Sequence, residues 1–426
     1  MPTDTPAPAP ALAEEVERLL AAGRAAALAL YRSDADSRRQ FVRETAALLG
    51  QRLDSLLDAN LRDLHAAGEL PSAMRDRLRL DAQRVAGMAR DAAAIAELPE
   101  VVGAIVDRRQ MPNGLVVERQ RVPLGLIGII YEARPNVTID AAVLALRAGN
   151  AVVLRGGSEA AHTNAKLAEI LRDALRLSSL PPDAVQTPRL RDRALVDALV
   201  GRAGGLDLAI PRGGTALIEA VSRAARVPVI QHYQGVCHLY VDGSADLAMA
   251  ATVAVNAKAQ RPGVCNAMEA LLVDSAIAGR AVPVLVDALR TAGVEVRGCP
   301  RTLALVGDRA VAAADDDYGR EFLELRCLCA VVDGVSGAVE HIGRYGSHHT
   351  EAIVAADLEV AETFVRSIDA SCVAVNASTR FNDGGCLGLG AEIGISTTKL
   401  HAYGPMGLEA LTAVRFVVRG QGQVRT

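Results

Sequence analysis

The sequence predicts an α/β fold built on a doubly wound, mostly parallel sheet. Apolar runs of strand length occur at 124–131, 151–155 and 206–210. Each run leads through a turn or loop into a helical pattern, and glycine pairs follow the second and third, so the unit of strand, turn and helix occurs three times. The first run is also apolar on both faces, as a buried parallel strand should be.

Residues 11–100 come first and read as helices. Ala, Leu, Arg and Glu dominate, and apolar residues recur at three- and four-residue spacing, as Leu61 and Leu64, and Leu56 and Leu64 two turns apart, illustrate. Pro71 after Leu70 suits the first turn of a new helix. The leading MPTDTPAPAP lacks the basic and apolar regions of a signal peptide and reads as a short, mobile tail. The period changes near 104, where two extended runs flank Pro112-Asn113-Gly114, a strong hairpin signal. A first βαβ unit is formed by LGLIGIIY (124–131), a helix over 137–148 and AVVLR (151–155). Gly156-Gly157-Ser158-Glu159 then opens a helix over 160–176, and LDLAI (206–210) runs through Pro211-Arg212-Gly213-Gly214 into a third.

A second α/β region is predicted over 230–365. It has strands at 237–242, 269–274, near 302–306 and 328–333, and helices at 245–258 and 336–344. SCVAVNA (371–377) reads as a return strand, and the glycine cluster at 384–390 as a helix-opening turn. The closing RFVVRGQGQVR reads as an exposed edge strand which, with the outlying hairpin, suits pairing across a subunit interface. The expected units are 1–109, 124–229 and 366–404 for cofactor binding and 230–365 for catalysis. Residues 110–123 and 405–426 are expected to form a small β element for oligomerisation.

Composition excludes several classes. The 426 residues carry a formal net charge of −4, no Trp and 3% aromatics, which gives neither the basic footprint nor the stacking platforms of a nucleic-acid binder. No apolar run reaches membrane-spanning length, and a cytoplasmic location is expected. The seven cysteines (237, 265, 299, 327, 329, 372 and 386) are odd in number and form no CxxC pair, which disfavours a disulfide framework or a zinc site. There are three lysines (Lys166, Lys258, Lys399) beside 43 arginines.

Cys265 stands in NAKAQRPGVCNAMEALLV, on a turn between a helix and a strand. Loops held by rigid elements commonly carry function, and a nearby Arg stabilises a thiolate. A buried structural cysteine is the alternative, but Gln260, Arg261 and Asn266 make the surroundings polar. Cys237 is the rival thiol; its place in a regular alternation favours core packing. Gly156-Gly157 and Gly213-Gly214 could present backbone N–H groups to phosphate, although none matches GxGxxG and such glycines are usually structural. Asn136 follows the first apolar strand, where a side-chain amide could serve an oxyanion or simply cap a helix. His348 and His349 are adjacent and so point apart, which disfavours a shared metal.

These stretches together resemble the γ-glutamyl phosphate reductase family (glutamate-5-semialdehyde dehydrogenases) of the aldehyde dehydrogenase superfamily. The resemblance runs from about residue 15 to the C-terminus. It is carried by VPLGLIGIIYEARPNVTIDAA, GNAVVLRGGSEA, IPRGG, GVCHLYVD, YGSHHTEAI and, most specifically, RPGVCNA and GLGAEIGIST. It implies an aldehyde-dehydrogenase-like fold and NADPH-dependent reduction of glutamyl 5-phosphate to the 5-semialdehyde, in proline biosynthesis.

The same resemblance implies roles for single residues. Cys265 matches the nucleophile and Asn136 the oxyanion donor. Arg155, Gly156, Gly157, Ser158, Gly213 and Gly214 match the cofactor's phosphate-side contacts, and Glu321 the glutamate on the nicotinamide ribose. Asn376, Ser378, Thr379 and Arg380 match substrate-side loops. The family commonly has Lys at Ser158, where it would favour the NADP ribose phosphate; apolar residues where Arg326 and its flanking cysteines stand; and often Arg at Tyr403. A homo-oligomer is implied, with no metal, and a separate glutamate 5-kinase supplying the substrate. The competing readings are another acyl-phosphate or aldehyde dehydrogenase of the same fold, and a silent oligomeric nucleotide-binding protein.

Overall fold

The computed structural model describes residues 9–68, 72–132, 134–190, 192–231 and 234–425, so the leading tail and the Leu70-Pro71 step lie outside the described residues. The N-terminal stretch is helical as predicted: α1 (Ala9–Tyr31), α2 (Ala35–Gln51), α3 (Leu53–Ala66), α4 (Ser72–Leu78) and α5 (Ala82–Ala96). Local chemistry sets their starts. The Asp34 carboxylate accepts the Ser37 N–H at 2.7 Å and Asp81 accepts that of Arg84 at 2.9 Å, each capping the helix that follows.

The chain continues with β1 (Ile105–Gln110), β2 (Val116–Pro123), β3 (Leu126–Tyr131), α6 (Pro135–Arg147), β4 (Ala151–Arg155), α7 (Ala161–Leu177), β5 (Val185–Gln186), α8 (Ala194–Val200), β6 (Leu208–Arg212) and α9 (Thr215–Ala224). Strands β3 to β6 form a parallel sheet in the order β5-β4-β3-β6. Every residue of β3 is buried, as its two-faced apolar pattern requires.

A second set of elements follows: β7 (Cys237–Val241), α10 (Leu247–Ala259), β8 (Met268–Asp274), α11 (Ala278–Thr291), β9 (Glu295–Gly298), α12 (Pro300–Val306), β10 (Val311–Ala312), β11 (Arg326–Val332), α13 (Gly334–Tyr345), β12 (Thr350–Val354), α14 (Leu358–Ser367), β13 (Cys372–Val375), β14 (Ile395–Ser396) and β15 (Gly404–Pro405). A seven-stranded sheet, all its pairs parallel, orders seven of these strands β10-β9-β11-β8-β7-β12-β13, while β14 pairs antiparallel with β15 in a separate sheet. The last strand, β16 (Thr412–Arg419), pairs antiparallel along its whole length with β2.

Contacts divide the chain into two compact units, Met1–Gln231 with Leu389–Gly394 and Met406–Thr426, and His232–Gly388 with Ile395–Pro405. Several expectations are thereby corrected. Residues 366–388 do not join the cofactor unit, because β13 pairs with β12 in the seven-stranded sheet. The hairpin begins at Ile105, where the change of period near 104 predicts it and ahead of the 110 boundary expected for the β element, and the closing strand is no lone edge strand but the third strand of the hairpin's own sheet. The strand expected near 302–306 is helix α12: Pro300 takes its first position, the Cys299 sulfur accepts the Thr302 N–H, and Gly307 at φ +59° ends it. The glycine cluster at 384–390 forms turns and opens no helix.

Candidate active site

Within the second unit, Cys265 lies on the loop 260–267 between α10 and β8, and it is partly exposed. Its backbone is held from behind. A Cβ at Gly235 would stand 1.9 Å from the Cys265 carbonyl oxygen, so the chain entering β7 passes in contact with the loop and only glycine fits. The Gly235 N–H donates to Glu321 Oε1 at 2.9 Å. The Cys237 thiol donates to the Cys265 carbonyl at 3.2 Å. Next along the loop, buried Asn266 donates to the Asn382 carbonyl at 2.9 Å, and the Asn382 amide donates to Thr350 Oγ1 at 2.8 Å.

The loop is also fastened at its two ends. Lys258, in the last turn of α10, pairs with Glu269, the second residue of β8, at 2.5 Å, and both side chains are fully buried. Burial pushes the Glu269 carboxyl up to about 7 against the pull of Lys258. Glu269 Oε1 also accepts the Leu323 N–H at 3.4 Å, which ties this pair to the segment bearing Glu321.

Arg380 supplies positive charge to this region. Its Nε donates to Gln260 Oε1 at 3.0 Å. Burial, then the like charge of Arg261, pulls its guanidinium below the ordinary value, while Asp383, Cys265 and Cys386 push it up. The other expected substrate-side residues differ from it. Asn376 sits at φ +53° and uses both ends of its amide on the Ala355 backbone, each bond at 2.9 Å, so its side chain serves the turn after β13. Ser378 and Thr379 are buried, and Ser378 Oγ accepts the Arg380 N–H at 3.3 Å. Glu321 lies in this unit with its carboxylate on Gly235.

In the first unit, Arg155, Gly156, Gly157 and Ser158 line a cavity of about 180 Å³ at the carboxyl end of β4, together with Tyr131, Asn164 and Arg189. A Cβ at Gly156 would meet the Asn164 amide at 2.1 Å. Glycine backbone and two arginines beside a helix start fit a phosphate-bearing nucleotide. Gly213 and Gly214 lie outside that cavity, at the end of β6. The Gly214 N–H donates to Glu132 Oε2 at 3.0 Å, so the chain's own carboxylate occupies the anion position at the start of α9. Asn136 is on the first turn of α6, not in a loop, and its amide donates to Asp140 Oδ2 at 2.9 Å. Burial pushes the Asp140 carboxyl up to about 6.

Sequence reasoning named the thiol and the first glycine pair but missed Glu132, Asn164, and the linkage of Lys258 to Glu269. Lys258 did carry a signal, as one of three lysines in an arginine-rich chain. Among the described residues no group of His, Cys, Asp and Glu could hold a metal ion, none of the seven cysteines is in a disulfide, and no helix is long and apolar enough to cross a membrane.

One α/β unit carries a partly exposed thiol on a loop, and the other carries a glycine-lined cavity at the carboxyl end of a parallel strand, both features in keeping with the aldehyde dehydrogenase class. The aldehyde dehydrogenase family profile matches residues 7–300. Within that class the chain belongs to the γ-glutamyl phosphate reductase family. It is 52% identical over 417 residues to the γ-glutamyl phosphate reductase of Solidesulfovibrio magneticus, covering 97% of this chain and 99% of that one. It is 50% identical over 416 residues to that of Nitratidesulfovibrio vulgaris strain Hildenborough, with the same coverage. The crystal structure of the Thermotoga maritima γ-glutamyl phosphate reductase superposes with a TM-score of 0.94 at 42% identity, covering 97% of this chain and all of that one.

Proposed function

We propose that this chain reduces L-glutamyl 5-phosphate to L-glutamate 5-semialdehyde with release of phosphate, as a step of proline biosynthesis, through a thioester on Cys265. The observation that carries the reading is the partly exposed Cys265 thiol on a loop anchored at both ends and from behind, in a chain matching γ-glutamyl phosphate reductases over nearly its full length.

The Cys265 thiolate attacks the acyl carbon, the bond from that carbon to the phosphate oxygen breaks, and phosphate leaves. Arg380 and Arg261 give this side of the loop the positive charge that favours both thiolate and departing phosphate. Asn136, oriented by Asp140, is the side-chain donor for the oxyanion. NADPH, when bound, supplies the hydride that reduces the acyl carbon; Arg155, Gly156, Gly157, Ser158 and Arg189 would hold its phosphate-bearing end. Return of the electron pair to the Cys265 sulfur then frees the aldehyde. Glu321 is read as positioning the loop through Gly235 in addition to its implied ribose contact.

A homo-oligomer in the cytoplasm fits this reading, with a glutamate 5-kinase upstream. The test follows nicotinamide absorbance in the reverse direction with glutamate 5-semialdehyde, NADP or NAD, and phosphate. Phosphate-dependent reduction of NADP is expected, together with its loss in Cys265→Ala while cofactor binding persists. Phosphate-independent oxidation would instead mark a hydrolytic aldehyde dehydrogenase, and undiminished turnover in Cys265→Ala would refute the nucleophile.

A further inference from the structure

A second thiol stands directly behind the Cys265 loop. Cys237 opens β7 and is fully buried. Its sulfur is 3.2 Å from the Cys265 carbonyl oxygen, two covalent bonds from the Cα that bears the exposed thiol. The strand cannot drift away without losing this contact, and the close passage at Gly235 holds the two backbones together. The same sulfur lies 3.6 Å from His349 Nδ1, a buried group able to exchange a proton with it.

The two thiols differ in character. Burial pushes the Cys237 thiol well above its ordinary value, so it stays protonated and is a poor direct target for peroxide. Cys265 is partly exposed and lies in the field of Arg380. Oxidant should therefore strike Cys265 first, and the Cys237 sulfur already stands against the backbone of that same residue.

We propose that Cys237 is the resolving partner of Cys265, so that a hydroperoxide acting on the nucleophile yields an intramolecular Cys237–Cys265 disulfide that a dithiol can reverse. The inference rests on the reading of Cys265 as the reactive thiol. In the first step the Cys265 sulfur takes the terminal peroxide oxygen; the O–O bond breaks, the thiolate loses two electrons, and the leaving alkoxide or hydroxide picks up a proton. In the second step the Cys237 sulfur attacks the Cys265 sulfenic acid. The S–S bond forms, the S–O bond breaks, and hydroxide leaves with the proton Cys237 surrenders, directly or through His349, as water. The bond silences catalysis and keeps the nucleophile from irreversible sulfinic acid.

The test treats the intact protein with a small excess of hydrogen peroxide and maps its thiols by mass spectrometry, after a parallel sample has been alkylated with iodoacetamide. The expected result is alkylation of Cys265 before treatment, and afterwards a linked Cys237–Cys265 peptide with loss of two hydrogens. Dithiothreitol should restore turnover. In Cys237→Ser, which keeps a hydroxyl to donate to the Cys265 carbonyl, peroxide should drive Cys265 to sulfinic acid and dithiothreitol should restore nothing. Should that variant fail to fold, the linked peptide of the unsubstituted protein still decides. A Cys265 that alkylates but over-oxidises without linkage, or links to Cys386 instead, overturns the proposal and leaves the nucleophile standing. A Cys265 that resists iodoacetamide while other thiols react overturns both.

Discussion

Gly235 bears on the Cys265 loop without carrying a side chain. In Gly235→Ala the new methyl would stand 1.9 Å from the Cys265 carbonyl oxygen and 2.8 Å from its Cα, both backbone atoms that no rotamer change can move aside. Overpacking of this kind costs about 1–3 kcal/mol. Because the displaced atoms belong to the loop of the proposed nucleophile, turnover should fall further than the melting temperature suggests. A variant with unchanged kcat and thermal midpoint would show that the loop does not lean on this glycine. Asn136 offers a second test, through pH. Folding raises the Asp140 carboxyl from its ordinary range to about 6, mainly by burial. The folded state therefore holds this proton the more tightly. The stability it contributes is complete below the ordinary carboxylate range and is lost as pH rises through about 6. Catalysis should run the opposite way, since the ionised carboxylate is the stronger acceptor for the Asn136 amide. A fall of kcat on the acid side near pH 6 that disappears in Asp140→Asn is expected, and an unaltered pH profile in that variant would detach Asp140 from the proposed oxyanion donor Asn136. Individual residues were unevenly legible in the sequence. The polar turn around Cys265 announced itself, whereas the task of Asn376 depends on a left-handed backbone and on Ala355 lying opposite, and neither leaves a mark on local composition.

The Lys258–Glu269 pair joins the end of α10 to the start of β8, and the Cys265 loop is strung between them. Breaking a fully buried ion pair from one side leaves an uncompensated charge and typically costs about 3–5 kcal/mol. Lys258→Met should show a loss of that order by urea unfolding, with the Glu269 carboxyl, already raised by burial, moving higher once its counter-charge is gone. In Lys258→Met/Glu269→Leu most of the stability should return, because paired apolar replacement of a buried ion pair is often neutral. If turnover stays low in this folded double variant, the pair holds the loop in register; if turnover returns fully, its role is stability alone. Secondary structure was most legible where burial is two-sided: AVVLR is β4 with the bounds its pattern predicts. It failed where pattern and caps disagree. Residues 302–306 read as a strand on composition, yet the Cys299 cap, Pro300 and Gly307 make the segment helical. It failed again at β13, since nothing within a short parallel strand says which of two sheets it joins.

The three-stranded sheet β1-β2-β16 ends at β16, whose outer edge has no partner strand among the described residues. Its alternate residues Val414, Phe416 and Val418 are 36%, 69% and 57% exposed, an apolar row on the terminal strand. Bare edges of this kind invite a further strand, and soluble chains normally blunt or cover them. The alternation of this strand was legible in the sequence; its pairing with β2, some 290 residues earlier, was not, because register between distant segments is set only when the chain closes on itself. The proposed homo-oligomer would cover both the edge and the row. The unsubstituted chain is therefore expected to run in light scattering as a multiple of its 44.6 kDa mass, and Phe416→Asp/Val418→Asp to shift it toward the monomer. The two substitutions lie at exposed positions, so the fold should persist by circular dichroism. A monomeric parent at micromolar concentration would mean that no assembly forms and that β16 is protected by its arginines, Arg415 and Arg419, acting as edge charges, whereas an oligomeric parent with an unshifted variant would mean that another surface closes the assembly.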